Sequence, residues 1–111
     1  SLHLTLHWKA LGQIDSDYKY FVHLWDNDKL VAQIDTMPDS YQYPTSWWAP
    51  NEAYSDTVGI DISHLKSGGQ YNLSTGVYDP ATNNRLRISK GTNSDTSNNT
   101  IKLLPVVLEL Q

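Results

Sequence analysis

The chain predicts an all-β fold: an antiparallel two-sheet β-sandwich, immunoglobulin-like or jelly-roll-like, with about seven to eight strands. Three observations carry that expectation. Apolar residues recur at every second position in several short runs, the spacing of half-buried strands. Clusters of Asp, Asn, Gly and Pro separate those runs, as turns do. Only Ile62-Ser63-His64-Leu65-Lys66 has room for a helical turn, with Ser63 as its cap. A chain of 111 residues is one domain, 1–111, large enough for a two-layer core without cross-links.

The first strand is Leu2, Leu4, Leu6 and Trp8 alternating with His3, Thr5, His7 and Lys9. Tyr18 to Trp25 is a second, more continuously apolar run, and Lys29 to Asp35 a third; Asp26-Asn27-Asp28-Lys29 joins them as a hairpin. Two registers are open for that hairpin. A two-residue loop pairs Trp25 with Leu30 and turns Phe21, His23 and Trp25 to the core. A three-residue loop pairs Leu24 with Ala32 and Val22 with Ile34, and it buries Tyr20, Val22 and Leu24 instead. The second is preferred, because it keeps an imidazole out of the core and faces Gln33 and Asp35 towards solvent. Tyr54 to Ile62 is the fourth run, with Val58, Ile60 and Ile62 on one face. Ser67-Gly68-Gly69 leads into the fifth, Gln70 to Tyr78, with Tyr71, Leu73 and Val77 inward. Asp79 to Asn84 is a second hairpin turn, leading to a short sixth run, Arg85 to Ile88. Ser89 to Asn99 holds no apolar residue and reads as a loop. The last run, Ile101 to Leu110, changes phase at Leu103-Leu104-Pro105, which predicts a bulge or a crossing between sheets.

Composition narrows the function classes. Eight Lys and Arg stand against twelve Asp and Glu, a net charge of −4 with the acids scattered. Such a surface repels a phosphate backbone, so nucleic acid is not an expected partner. There is no cysteine, hence neither disulfide nor thiolate metal site. No apolar run reaches membrane-spanning length, so direct membrane insertion by these residues is not expected. The sequence holds no Gly-x-Ser-x-Gly elbow, glycine-rich phosphate loop or zinc-ligand spacing, and no catalytic role or cofactor is expected.

The segment Tyr41-Gln42-Tyr43-Pro44-Thr45-Ser46-Trp47-Trp48-Ala49-Pro50 fits neither strand nor helix periodicity, and it carries four of the chain's twelve aromatic residues. Rings in a loop either plug the end of the sandwich or face water to bind something. Burial is the expectation for at least one tryptophan, Trp48 foremost. The functional reading makes Trp47 or Trp48, with Tyr41 or Tyr43, a platform for a sugar face, with Asp39 or Gln42 bonding hydroxyls.

The other candidates have ordinary explanations. His3 and His7 share a strand face but lie about 13 Å apart along it, too far for one metal. His23 is placed to bond Gln33 or Asp35 across the ladder, and His64 to be solvated or hydrogen-bonded. Asp26 and Asp28, or Asp79 with Asn83 and Asn84, gather oxygens as calcium loops do, though Asp and Asn bond their own backbone in turns just as readily. Asp15 with Asp17, or Asp35 with Asp39, can be imagined as a glycosidase pair, but spacing along the chain sets no separation for either.

Longer segments carry a resemblance. They are Asp17-Tyr18-Lys19-Tyr20-Phe21-Val22-His23-Leu24-Trp25-Asp26 with Lys29-Leu30-Val31-Ala32-Gln33, then Tyr43-Pro44-Thr45-Ser46-Trp47-Trp48-Ala49-Pro50-Asn51-Glu52, then Gly76-Val77-Tyr78-Asp79-Pro80-Ala81-Thr82. From Leu4 to about Ile88 the chain resembles the β-sandwich domain at the extracytoplasmic end of bacterial multi-span membrane proteins. Those proteins in turn resemble mannosyltransferases of the dolichyl-phosphate-mannose type. The first hairpin here lacks that pattern's glycine and is one residue shorter; Asn51 stands where glycine is usual, and so does Asn83, which Asn84 follows. Asn is the residue best able to take their left-handed conformation. The resemblance implies an excised, extracytoplasmic accessory domain, tethered to the membrane through a parent protein. Its implied partners are a glycan or the parent's membrane domain; a purely structural or protein-interaction domain is the alternative.

Overall fold

Alternation at every second position dictates a layered fold, because a pleated strand with one apolar face must bury it against another. The computed structural model describes residues 2–65, 69–87, 94–95, 99–103 and 106–107. Among these residues eight strands run in the order β1 (Leu2–Lys9), β2 (Lys19–Asp26), β3 (Lys29–Thr36), β4 (Ala53–Ile60), β5 (Gln70–Tyr78), β6 (Ser94–Asp95), β7 (Thr100–Lys102) and β8 (Val106–Val107). They form two antiparallel sheets: β1 with β4, and β3-β2-β5-β7-β6, with β8 also paired to β5. This is the all-β two-sheet sandwich. Among the described residues the one helical element is a 3-10 turn, Thr45–Trp47, and no helix is long and apolar enough to cross a membrane.

The core lies between the sheets. Leu6 of β1 with Val58 and Ile60 of β4 meets Tyr20, Val22 and Leu24 of β2 and Tyr71 and Leu73 of β5. β1 follows its alternation throughout, with His3, Thr5, His7 and Lys9 exposed. Across the ladder Thr5 bonds Thr57, and His7 Nδ1 lies 2.7 Å from Ser55 Oγ.

The first hairpin reconciles both candidate registers. Asp26 pairs with Lys29 and Trp25 with Leu30 around a tight turn in which Asn27 is left-handed (φ 52°). Between Trp25 and Leu24 the register then shifts: Leu24 faces Ala32 and Val22 faces Ile34. Val31 is the extra residue of a β-bulge. Its carbonyl accepts a hydrogen bond from His64 Nε2 at 2.7 Å, so a bulge acceptor freed from the ladder is satisfied from a distant turn. The preferred pairing therefore holds for most of the hairpin, and Tyr20, Val22 and Leu24 are buried.

Phe21 departs from the expected pattern. It points to the opposite face from the core, yet is only 4% exposed. The ring sits above Gly76 of β5, with the Arg85 guanidinium 4.6 Å from its centroid and the His23 ring at 4.3 Å. The chain beyond β5 thus covers part of the second face of this sheet. Trp25 closes the same row by donating Nε1–H to Ser74 Oγ at 3.2 Å.

Several expected elements change. Ser63 does not act as a helix cap. Its N–H instead donates to Asp61 Oδ1 at 2.9 Å, and Leu65 N–H to the Ile62 carbonyl at 3.0 Å, closing a turn. The Asp61 carboxylate bonds the backbone two residues on, as Asp does in turns; Lys66 lies outside the described residues. The sixth run is not a strand over its described part: Arg85 makes a single bridge with Tyr78, and Leu86 N–H donates to the Val77 carbonyl at 2.7 Å. Ile88 lies outside the described residues. Within Ser89 to Asn99, Ser94–Asp95 pairs with β7, although no apolar residue marks it. The last run pairs with β5 in two pieces whose registers differ by one residue. Leu104 and Pro105 themselves lie outside the described residues.

Candidate functional site

At one end of the sandwich, Lys9 of β1, Lys19 of β2, Thr36 of β3, Ala53 of β4 and Tyr78 of β5 mark where strands enter or leave loops. The aromatic loop fills that end, and hydrogen bonds along its whole length hold it. Asp39, Ser40 and Tyr41 are all left-handed (φ 54°, 50° and 74°). They form a tight reversal in which Gln42 N–H donates to the Asp39 carbonyl at 2.9 Å. Pro44, extended at φ −62°, then starts the 3-10 turn.

The turn is pinned from outside. Thr45, buried, donates its hydroxyl to the Ser16 carbonyl (2.6 Å) and accepts from Tyr18 N–H (3.0 Å). Asp17 Oδ1 accepts from Ser46 N–H at 3.2 Å, so a neighbouring loop supplies the cap. Further on, Asn51 N–H donates to the Ala10 carbonyl (2.6 Å) and Ala10 N–H to the Glu52 carbonyl (3.0 Å), tying the loop to the end of β1.

The four predicted aromatic residues divide. Trp48 is 4% exposed and Trp47 66% exposed. Trp48 packs on Tyr43 (centroids 6.0 Å) and Tyr54 (5.6 Å) and donates Nε1–H to the Tyr43 carbonyl at 3.1 Å. Tyr43 is half-buried and donates its hydroxyl to Glu52, a bond that raises the Tyr43 pKa above its ordinary value. Tyr41 is 55% exposed, with the Lys19 ammonium 5.4 Å from its ring centroid. A hydrogen bond to Tyr41 is the largest cause holding the Lys19 pKa well above the usual lysine range; burial opposes it, and Asp35, 3.6 Å away, adds to it. Trp47 and Tyr41 therefore face water, while Trp48 and Tyr43 build the support beneath.

A cavity of about 70 Å³ lies under this loop and is partly open to solvent. Trp8 and Lys9 come to it from β1, Tyr18 to Tyr20 from the start of β2, and Val77 from β5; Pro38, Thr45 and Trp48 close it from the loop. Trp8 was legible as the last inward residue of β1, and Tyr54, its register partner, as the inward end of β4. Both are ordinary core positions by pattern, so nothing in the sequence marks them as functional. Asp56 follows the same parity. It is 6% exposed and accepts from Tyr20 O–H at 2.6 Å. Burial, followed by that bond to the carboxylate, raises the Tyr20 pKa far above the phenol range.

The remaining candidates hold structural roles. Asp17 caps the 3-10 turn, Asp39 bonds Tyr54, and Asp35 accepts from Tyr78 O–H at 2.6 Å. Asp79 organises its own turn, accepting from Ala81 N–H through Oδ1 (2.9 Å) and from Asn83 N–H through its carbonyl (2.7 Å). Asp26 and Asp28 flank the hairpin tip at the far end from the aromatic loop. Among the described residues no three His, Asp or Glu side chains gather as metal ligands. His23 stands opposite Gln33, as expected, but its ring packs between Phe21 and Trp25 (5.9 Å). Burial and the Arg85 charge lower its pKa, against the pull of Asp35. Asn51 and Asn83 are left-handed (φ 66° and 61°), as glycine substitutes must be there.

Comparisons of the chain with protein-family models, with curated proteins and with solved structures find no match.

Proposed function

We propose that this domain is a non-catalytic, carbohydrate-binding accessory module, with Trp47 as the stacking ring and Tyr41 beside it on the same loop. The observation that carries the reading is Trp47 itself, 66% exposed on a turn held by Thr45, Asp17 and the buried Trp48. Exposing a large ring forgoes roughly 1.5–3 kcal/mol of burial. Holding it on a rigid backbone lowers the entropy that a ligand must overcome to stack on it. The carboxylates around the loop are engaged in hydrogen bonds to the fold, which favours binding over acid–base chemistry. An extracytoplasmic place beside a glycosyltransferase-like membrane protein rests on the segments quoted from Asp17 to Thr82.

Titration with a panel of sugars, followed by tryptophan fluorescence, tests the reading. A saturable change with at least one sugar, lost in Trp47→Ala, is the expected result; silence across the panel in the native protein refutes it. Trp47→Ala is expected to leave stability within about 0.5 kcal/mol, since the ring is mostly in water. Trp48→Ala costs about 3–5 kcal/mol, as a buried ring does.

One observation favours a second reading, a protein-docking domain. Leu11 is 85% exposed on the loop that hydrogen-bonds to the aromatic one. A docking surface loses affinity for the parent's membrane domain on both Leu11→Ser and Trp47→Ala, whereas a sugar platform depends on Trp47 alone.

A further inference from the structure

The turn that exposes Trp47 also holds a carboxylate next to it. Residues 16 to 18 bind the turn in sequence: Ser16 by its carbonyl, Asp17 by its side chain and Tyr18 by its N–H. Asp17 Oδ1 accepts from Ser46 N–H at 3.2 Å, so by way of Ser46 it lies within about 8.5 Å of the Trp47 Cα. The turn sets direction as well as distance. Trp47 is the third residue after the cap, Pro44, the position from which a side chain reaches back towards the cap. Side chains of a right-handed helical turn lean to its N-terminal end, and Asp17 occupies that end. Asp17 is exposed, and among the described residues its second carboxylate oxygen has neither a hydrogen-bond nor an ion-pair partner. Asp39, by contrast, bonds Tyr54, and Glu52 bonds Tyr43 and Ala49 N–H. Lys19 is held by Asp35 and Tyr41, and neither it nor Lys9 pairs with Asp17. An acceptor-only group beside an exposed indole selects by charge: a cation gains from ring face and carboxylate together, and an anion is repelled.

We propose that Asp17 is the specificity-determining partner of Trp47 and that the platform takes an amino sugar; the inference rests on the sugar-platform reading. The sugar ring stacks on the indole, and its ammonium group donates to the second Asp17 oxygen. A hydroxyl or an acetamido N–H in that place keeps a hydrogen bond but loses the charge, and the carboxylate of an acidic sugar meets a like charge.

The test titrates glucosamine, glucose, N-acetylglucosamine and glucuronate into the native protein, Asp17→Asn and Asp28→Asn at about pH 6, where an amino group is protonated, and follows tryptophan fluorescence. Glucosamine is expected to bind about five-fold more tightly than glucose or N-acetylglucosamine, and glucuronate most weakly. Asp17→Asn keeps an oxygen for Ser46 N–H, so the turn stays and glucose still binds. Glucosamine then loses its advantage and glucuronate its handicap. Asp28→Asn makes the same change in net charge at the far hairpin tip and leaves the native order intact. Should Asp17→Asn fail to fold, raising salt from about 0.05 to 0.5 M screens the native protein and is expected to level the four sugars likewise. A glucosamine advantage that is missing from the native protein, that survives Asp17→Asn, or that falls equally in Asp28→Asn overturns the role of Asp17. Sugar binding that needs Trp47 but ignores charge sinks this inference and spares the platform; silence from all four sugars counts against both.

Discussion

Gly76→Ala is a small change with a decidable sign. Gly76 pairs with Phe21, and a Cβ there would lie 2.5 Å from Phe21 Cζ, 2.7 Å from Cε2 and 3.0 Å from the Asn99 carbonyl oxygen. Carbon atoms make contact at about 3.5–4.0 Å, so the overlap is on the order of 1 Å. The ring cannot simply lift away: Arg85 lies on it at 4.6 Å and His23 beside it at 4.3 Å. Overpacking of this kind costs about 1–3 kcal/mol. Replacing glycine in a strand by alanine returns roughly 0.5–1 kcal/mol of backbone entropy. The net expectation is a loss of about 1–2 kcal/mol, or roughly 4–8 °C in Tm for a chain of this length.

Urea denaturation of the native protein, Gly76→Ala, Phe21→Ala and the double variant separates the two contributions. Phe21→Ala alone costs about 3–5 kcal/mol. In its background the clash is gone, and Gly76→Ala becomes stabilising by about 0.5 kcal/mol, a coupling of roughly 2 kcal/mol. Were Gly76→Ala alone neutral or stabilising, Phe21 would not be clamped over the glycine, and the covered outer face of β2 and β5 would be wrong.

Three further outcomes are expected from the buried polar contacts and His23. Tyr20→Phe strands the Asp56 carboxylate and should cost about 2–4 kcal/mol, while Tyr20→Phe with Asp56→Leu should recover part of that loss in the same urea assay. Thr45→Val leaves the Ser16 carbonyl and the Tyr18 N–H without their partner. It should cost about 2 kcal/mol and lower the fluorescence anisotropy of Trp47. The folded-state pKa of His23 lies below its ordinary 6.5, so the unfolded chain binds the proton first. The stability that neutral His23 contributes is therefore fully present above pH 6.5 and is lost as pH falls through the lowered value. The difference in urea midpoint between native protein and His23→Gln should shrink between pH 7.5 and pH 5; a pH-independent difference contradicts the burial of this imidazole.

The two layers were legible because alternation is a local signal. Leu2 to Lys9 shows its two faces without reference to any partner. The hairpin was half legible. The two-residue turn and the pairing of Leu24 with Ala32 are incompatible in a regular ladder, and only the bulge at Val31 permits both. Nothing local announces that bulge; the acceptor it frees is satisfied by His64, thirty-three residues away. Phe21 was opaque for the same reason, since its cover comes from Arg85 and the backbone at Asn99. Asp56 was readable, because it lies two residues before Val58 on the inward parity, and a carboxylate there calls for a donor such as Tyr20. Trp48 was the tryptophan expected to be buried, and it is, while its neighbour Trp47 is exposed. The turn separates the pair: Trp47 is the last residue of the 3-10 turn and stays in water, while Trp48, where the chain becomes extended again, enters the aromatic cluster.

That geometry bears on why the loop is strained. Three successive left-handed residues without glycine cost of order 1–3 kcal/mol each. Asp39 is held by Tyr54, and Tyr41 by Lys19. These contacts offset part of the cost, yet a relaxed loop of ordinary turns would close the same gap between β3 and β4 at less expense. The reversal has one consequence that such a loop lacks. It turns the chain so that Tyr43 can stack under Trp48 and so lets the 3-10 turn present Trp47 outward, while Pro38 and Trp48 roof the cavity against Trp8. Three successive left-handed residues beneath an exposed ring are what the proposed sugar platform would require of this loop. Replacing Ser40 by Gly, which relaxes the backbone cost, should therefore raise stability by roughly 1 kcal/mol in urea while weakening sugar binding. A variant that gained stability with undiminished affinity would detach the strain from the site.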